Sequence, residues 1–379
     1  MHSTKLERMG IPTAPVQGRV FEGLVKMYAR LVGMPHHRQV FVPHPISRVP
    51  SAICREYIEG KDPVTGIPVI DEIIDALTKP LSEEEKKTKV VERSVLRLIG
   101  PEKEEDLHEI FQKKKLTDYL PIILPTEDRV AEMLKGTSHK PDEVVGELRS
   151  GYEALSFTVE KVAANAVMAG ARPEYLPVIL ALAASGVPAI ATSTQSFARM
   201  ILVNGPIRNE IGMNSGCGAL SPFNHANSAI GRAATLISIN LGGGAIPNSS
   251  YWGSQGNNLN YNNVTFPEAE EALPEGWKPF HVQKGYKPEE SVVTYFHGYG
   301  LWHWKNTYER EKNKAILRLA SWILPSGPYQ SGLGLLLDPI VARDLVSEGF
   351  PTKEALSRYV HENSKLPLEE YWQFHLIES

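Results

Sequence analysis

A chain of 379 residues is long enough for two or three domains at about 150 residues each, and its 42% hydrophobic, 22% charged and 8% aromatic content is that of a folded protein, which excludes the disordered and collagen-like classes. With 40 Lys and Arg against 44 Asp and Glu the net charge is −4, and without a basic excess there is nothing to neutralise the phosphates of a nucleic acid. Two cysteines, Cys54 and Cys217, are too few for a disulfide framework, the start has no apolar signal region, and no run reaches the roughly 18 apolar residues of a membrane span; a soluble, cytoplasmic chain with no membrane or nucleic-acid partner is expected.

The first elements alternate at α/β spacing. A helix over His2–Met9 leads into a strand or strand end at Ile11–Val16; Val20, Leu24, Met27 and Leu31 then recur at helical steps until Gly33 and Pro35 stop them. Gln39–Val42 reads as a strand, residues 50–59 and 68–78 as helices, the second with Ile70, Ile73, Ile74 and Leu77 on one face. Residues 1–79 therefore read as a partial doubly wound α/β domain. The pattern opens on a helix where a strand and loop would precede it, so either the domain is permuted or another polypeptide completes it; the alternative leaves a sheet edge unpaired.

Residues 80–118 are charge-dense, with Glu83–Lys87 and Glu102–Asp106, and read as a charged helical connector on a solvated face. Residues 119–379 read as a larger α/β domain carrying the substrate-binding and catalytic site. Within it, Val159, Val162, Ala163, Ala166 and Val167 form a helix stripe after Thr158, a candidate N-cap, and Gly170 closes that helix. Pro173 opens the next, over 174–185. A strand follows at 196–203, a helix from an N-cap at Asn224 to Leu241, a strand at 292–296, a helix at 312–323, a buried strand at 332–337, and helices at 339–348 and 352–363. Residues 247–263, rich in Asn, Ser and Gly with interspersed Tyr, read as an ordered functional loop.

Special backbone concentrates between Asn204 and Gly244, and so do candidate reactive groups. Cys217 lies between two glycines ahead of a helix N-terminus, where a thiolate is favoured; a buried cysteine fitted to a tight turn is the other reading. On the following helix His225, Ala229 and Arg232 share a face, so an imidazole and a guanidinium can line one pocket for a small anion while Ile230, Leu236 and Ile237 point inward; a solvated arginine covering the core edge is the alternative. Asn204, Asn214 and Asn227, with Ser215 and Gly216, are candidates to orient a polar ligand, although Asn is also a common turn residue. Glu268, Glu270, Glu271 and His281 flank Trp277 in a stretch holding Pro267, Pro274 and Pro279; Glu268 and His281 are candidates for general acid or base, against solvated loop charge. His297 and His303, His36, His37 and His44 show no metal-ligand spacing, and Gly242–Gly244 follows a helix where a dinucleotide fingerprint precedes one, so neither metal nor cofactor is expected.

These residues carry a family resemblance. Leu6-Glu7, Gly10–Thr13, Gly33–Pro35 and Pro43–Pro45, followed by Pro125–Glu127, Val159–Lys161, Asn165–Gly170, Pro173–Tyr175, Asn204–Ile207, Asn214–Gly216 and Ala226–Arg232, make the chain similar to the UGSC-motif (seleno)proteins and their associated larger proteins. In that motif a selenocysteine or cysteine is followed by Gly-Ser-Cys. The resemblance implies thiol or selenol redox chemistry, by analogy with the selenoprotein subunits of glycine reductase type. The motif itself belongs just before residue 2, and no Gly-Ser-Cys occurs in this sequence. The expectation is a hetero-oligomer in which a small subunit carries the redox cysteine, a truncated start being the alternative, and this chain binds a small anionic substrate for reductive or thiolate-mediated cleavage. Two alternatives stay open: a hydrolase or acyl transferase with Cys217 as nucleophile, His225 as base and Gly216–Gly218 N–H groups as oxyanion donors, and a non-catalytic scaffold subunit.

Overall fold

A computed structural model describes residues 2–46, 49–87, 97–100, 102–150, 153–189, 198–242, 264–298, 334–365 and 367–369. The chain begins α1 (His2–Arg8), β1 (Val16–Gly18), α2 (Glu22–Leu31), β2 (Val40–Val42), α3 (Ser51–Glu59) and α4 (Val69–Thr78). β1 and β2 pair in parallel, with Gln17 opposite Phe41. The connection between them is therefore a crossover through α2, the unit from which doubly wound domains are built. Val40, Val42 and Val69 are buried and gather Tyr57, Ile58 and Ile73 around them. α2 starts later than the apolar spacing suggests: Val20 falls in a short 3-10 turn and is half-exposed, whereas Leu24, Val25, Tyr28 and Ala29 face inward. Gly33, at φ 76°, ends α2 in the left-handed conformation that a helix C-terminus uses.

Arg38 fixes where the charged segment leaves this unit. Its guanidinium donates to the carbonyls of Asp75 (3.2 Å), Ala76 (3.3 Å), Lys79 (2.7 Å) and Pro80 (3.0 Å) at the end of α4. It also grips both oxygens of Glu85, at 2.7 and 3.0 Å. A cation over the last carbonyls satisfies groups that the helix itself leaves unpaired and meets the negative end of its dipole. In the connector the described residues give one helix, α5 (Glu104–Lys113), acidic in its first turn. Its Phe111 is buried in the core of the larger unit, so this helix is docked on one side and solvated on the other. Residues 88–96 and 101 of the connector lie outside the described residues.

The larger unit continues with α6 (Glu127–Leu134), β3 (Val144–Ser150), β4 (Glu153–Thr158), α7 (Val159–Met168), α8 (Leu176–Ala184), β5 (Ala198–Asn204), α9 (Ile207–Glu210), α10 (His225–Asn240), β6 (Val264–Pro267), α11 (Phe280–Gln283), β7 (Val292–Gly298), α12 (Pro339–Ser347) and α13 (Lys353–Asn363). β3 and β4 form an antiparallel hairpin with an irregularity at Gly146. β5 is the middle of a three-stranded sheet, parallel to β6 and antiparallel to β7. The core lies where α7, α8 and α10 pack on one another and on these sheets; Val162, Ala166, Leu176, Ile179, Ile201, Val203, Ile230 and Leu236 are wholly buried there. A separate core forms around Trp277, with Ala342, Leu345, Phe350, Leu356 and Val360, so the described residues of the span 119–379 form two apolar centres.

The class is α/β, as the sequence suggests, with several local differences. Thr158 is the N-cap residue of α7 but its hydroxyl makes no capping bond; the first N–H groups of the helix, those of Val159 and Glu160, donate instead to the carbonyls of Glu143 (3.0 Å) and Pro141 (2.9 Å). Residues 334–337, expected in a buried strand, are largely exposed and outside any strand, with Leu336 half-exposed; an apolar run becomes a strand only where a partner offers a ladder. The loop 247–263, the helix 312–323, Gly243, Gly244 and His303 lie outside the described residues. No described helix is long and apolar enough to cross a membrane.

Candidate functional site

Two groups of polar residues draw the candidates together. The first sits at the carboxyl ends of the parallel strands β5 and β6, where open α/β sheets commonly place ligands. Asn204 ends β5 and Glu268 follows β6; the Glu268 N–H donates to the Val203 carbonyl at 3.1 Å, extending the ladder by one bond. Asn204 is completely buried. Its Nδ2 donates to Glu268 Oε2 (2.6 Å) and Glu270 Oε1 (2.9 Å), and the Gly205 N–H adds a third bond to Glu270 Oε1 at 2.8 Å. Gly205 has φ 84°, and a Cβ there would lie 2.2 Å from the Glu290 carbonyl oxygen. Only glycine allows the chain to turn from β5 into α9 so tightly.

Arg208, the second residue of α9 and itself buried, grips Glu271 with Nη1 to Oε2 at 2.9 Å and Nη2 to Oε1 at 2.5 Å, and its Nε stands 3.3 Å from Glu270 Oε1. The Arg208 guanidinium holds the Glu271 carboxyl down to about 2. Lys353, at the start of α13, bonds Glu268 Oε1, and the Phe280 N–H donates to Glu268 Oε2 at 2.7 Å. His281 on α11 is 1% exposed, with Nδ1 3.8 Å from Glu270 Oε1. Asn204 Oδ1 and both ring nitrogens of His281 have no hydrogen-bond partner among the described residues. Such groups cost about 1–3 kcal/mol each when buried unpaired, which makes them the points where a small polar ligand gains most. The expected sites Asn204, Glu268 and His281, spread over 78 positions of sequence, are thus brought into one cluster.

The second group is the loop before α10. Asn227 is buried; its Oδ1 accepts from the Asn214 N–H (3.2 Å) and its Nδ2 donates to the carbonyls of Asn214 (3.0 Å) and Ala219 (3.1 Å). Asn214 Nδ2 donates to the Cys217 carbonyl (3.0 Å) and to Asn224 Oδ1 (2.8 Å), while its Oδ1 accepts from the Gly216 N–H (2.8 Å). Asn224 is the N-cap residue of α10 but makes no side-chain capping bond; its Nδ2 instead reaches the carbonyls of Gly218, Ala219 and Ser221. The three asparagines fasten the loop to itself, and Ser215 lies half-buried within it. Cys217 is exposed at the surface of this loop. The Gly216 N–H, a candidate oxyanion donor, is engaged by Asn214.

His225 is exposed, and its Nδ1 is 3.1 Å from the Tyr175 hydroxyl; no hydrogen bond among the described residues joins it to Cys217. Arg232 does not stand ready for an anion. Its Nε and Nη2 are each 3.0 Å from the two oxygens of Asp118, and Nη2 donates to the Pro121 carbonyl at 2.7 Å. A planar guanidinium matched to a buried carboxylate is a strong bidentate contact, so its role here is to clamp residues 118–121 to α10. Among the described residues no group of three or more His, Cys, Asp or Glu side chains is placed to hold a metal ion.

Arg208 and Lys353 were not singled out by sequence reasoning. Arg208 had one signal, its place after the Asn-Gly-Pro turn; Lys353 had none, because only tertiary packing brings α13 to Glu268. A hollow of about 640 Å³ on α3, lined by Ser51, Arg55, Glu56 and Glu59, includes no residue of either group.

No curated protein and no solved structure matches the chain. The family model of the UGSC family matches residues 2–61, the stretch that contains α1, β1, α2, β2 and α3. By that match residues 2–61 are similar to the UGSC family, in agreement with the resemblance at Leu6-Glu7, Gly10–Thr13, Gly33–Pro35 and Pro43–Pro45, while the analogy to glycine reductase subunits gains no support from it.

Proposed function

We propose that this chain is the substrate-binding subunit of a thiol-dependent enzyme that cleaves a bond in a small polar metabolite, with the redox cysteine or selenocysteine carried by a partner chain. The observation that carries this reading is the UGSC-family match over 2–61. The parallel β1–β2 pair, joined by no third strand among the described residues, is consistent with completion by another chain. The substrate centre in this reading is the cluster of Asn204, Glu268, Glu270 and His281. Its two cations, Arg208 and Lys353, already face carboxylates, so the cluster suits a neutral or amine-bearing polar group better than the small anion expected from the sequence. Glu268 or His281 would hold or move a proton there.

The test is native mass spectrometry of the protein from its natural source, with intact masses of every subunit. A co-purifying small chain with a Gly-Ser-Cys motif supports the proposal. A homo-oligomer of 42.0 kDa chains alone, with no second kind of subunit, overturns it, and a longer chain carrying its own motif moves the thiol in cis.

A second reading, Cys217 as nucleophile for hydrolysis or acyl transfer, is favoured by the exposure of that thiol on a loop held by three asparagines. Cys217→Ser separates the two: turnover retained in the assembled enzyme supports a partner thiol, and complete loss with assembly intact supports Cys217. No turnover with or without a partner leaves the scaffold role.

A further inference from the structure

The carboxylate of Glu268 divides its oxygens between the fold and one side chain. Oε2 is fixed from within the cluster by Asn204 Nδ2 (2.6 Å) and the Phe280 N–H (2.7 Å), whereas Oε1 bonds Lys353 Nζ. Lys353 is the first residue of α13, where the positive end of the helix dipole disfavours an ammonium, so its own helix gains nothing from its charge. It arrives from the apolar centre around Trp277, separate from the core that holds β5 and α10. The pair also lies at the accessible rim of the cluster: the side chains of Lys353 and Glu268 are 18% and 15% exposed, so solutes reach it.

Within the cluster acceptors and negative charge are in excess. Asn204 Oδ1 is wholly buried without a hydrogen-bond partner among the described residues, and the His281 ring, 1% exposed, has none at either nitrogen. Glu268, Glu270 and Glu271 set three carboxylates against the two cations Arg208 and Lys353, and against Arg208 alone once Lys353 departs. A ligand that brings positive charge and several N–H donors meets both needs, which is what a primary ammonium supplies. We infer that Lys353 is a resident stand-in for the ammonium group of the substrate: a small primary amine in its cationic form takes Glu268 Oε1 from it, and α13 is released as it does so. This rests on the reading of the cluster as the substrate centre, but on neither the thiol nor the partner chain.

The test is hydrogen exchange of the full chain titrated with n-butylammonium chloride, the lysine side chain as a free molecule. Tetramethylammonium chloride, an equal charge with no N–H, and sodium butyrate serve as comparisons. The expected result is faster exchange in α13 with butylammonium alone, while α7 and α10 stay protected. Lys353→Met, which keeps the apolar stem but removes the internal competitor, should bind butylammonium about tenfold or more tighter by calorimetry, and Glu268→Gln should abolish the effect. Exchange in α13 that butylammonium moves no more than tetramethylammonium does overturns the inference. So does butyrate binding that Lys353→Met abolishes, which makes the lysine an anion receptor. The titration of the unmodified chain decides the matter even if a variant fails to fold. Butylammonium binding supports the inference whatever subunits mass spectrometry finds, so the two proposals fail separately.

Discussion

Replacing Arg232 by Met distinguishes a clamp from an anion receptor. The substitution keeps the apolar stem but removes two 3.0 Å bonds to Asp118 and one 2.7 Å bond to the Pro121 carbonyl. The Asp118 side chain is 4% exposed and that of Arg232 19%, so the variant leaves a buried carboxylate without its cation. Breaking a fully buried pair costs about 3–5 kcal/mol; solvent reaches Arg232 from one side, which places the loss near the lower end, about 3 kcal/mol. The contact also steadies strained backbone, because Tyr119, beside Asp118, has φ 63°, a conformation that bulky residues avoid. At about 2–4 °C per kcal/mol for a unit of this size, the melting transition should fall by about 6–12 °C. Hydrogen exchange of α10 peptides assigns that transition to the larger unit. Asp118→Asn combined with Arg232→Met should recover about 1–2 kcal/mol of the loss, since the orphan charge is gone. A single variant within about 0.5 kcal/mol of the parent that nonetheless loses ligand binding would refute the clamp and restore Arg232 as an anion receptor.

Further outcomes follow from named contacts. The Arg38 guanidinium and the Ser82 N–H hold the Glu85 carboxyl down to about 2 from 4.5, so its contribution is complete above about pH 4.5 and is lost as pH falls toward 2; Glu85→Gln should lower stability at pH 7 by on the order of 2 kcal/mol after allowing for partial solvent screening and flatten this acid limb in a series of pH-dependent melts. Burial pushes the Tyr295 phenol above its usual 10; the folded state keeps a proton that the unfolded chain releases, so stability declines as pH rises beyond 10, and Tyr295→Phe should shift the alkaline unfolding midpoint upward. Lys353→Met removes the cation on Glu268 Oε1 and should raise hydrogen exchange across α12 and α13 while leaving α7 and α10 protected.

Local chemistry made much of the fold legible. α2, α3 and α4, β2, α7 and α10 announce themselves through apolar residues at helical or alternating steps, bounded by Gly33, Gly60, Gly170 and Asn224. The β3–β4 hairpin was missed although Leu148 and Phe157, both buried on paired strands, lie on either side of a Ser-Gly turn signal; charged residues between them disguised the alternation. β6 is four residues long; its Val264, Thr265 and Phe266 favour extended backbone, but a run this short reads as a strand only once β5 offers it a ladder.

By itself the sequence determined the α/β class, the helix stops and the UGSC-family resemblance of the first sixty or so residues, because each depends on spacing, turn chemistry or composition within a short window. It also named three residues, Asn204, Glu268 and His281, that lie together in one polar cluster. Tertiary structure alone decided how they are used: Arg232 is engaged by Asp118 from 114 positions away, Lys353 reaches Glu268 across 85, and Asn204 meets Glu268 across 64. A charge on a helix face reads the same in sequence whether it awaits a ligand or already holds a partner. Which of the two it does depends on the distant chain that folding brings within 3 Å.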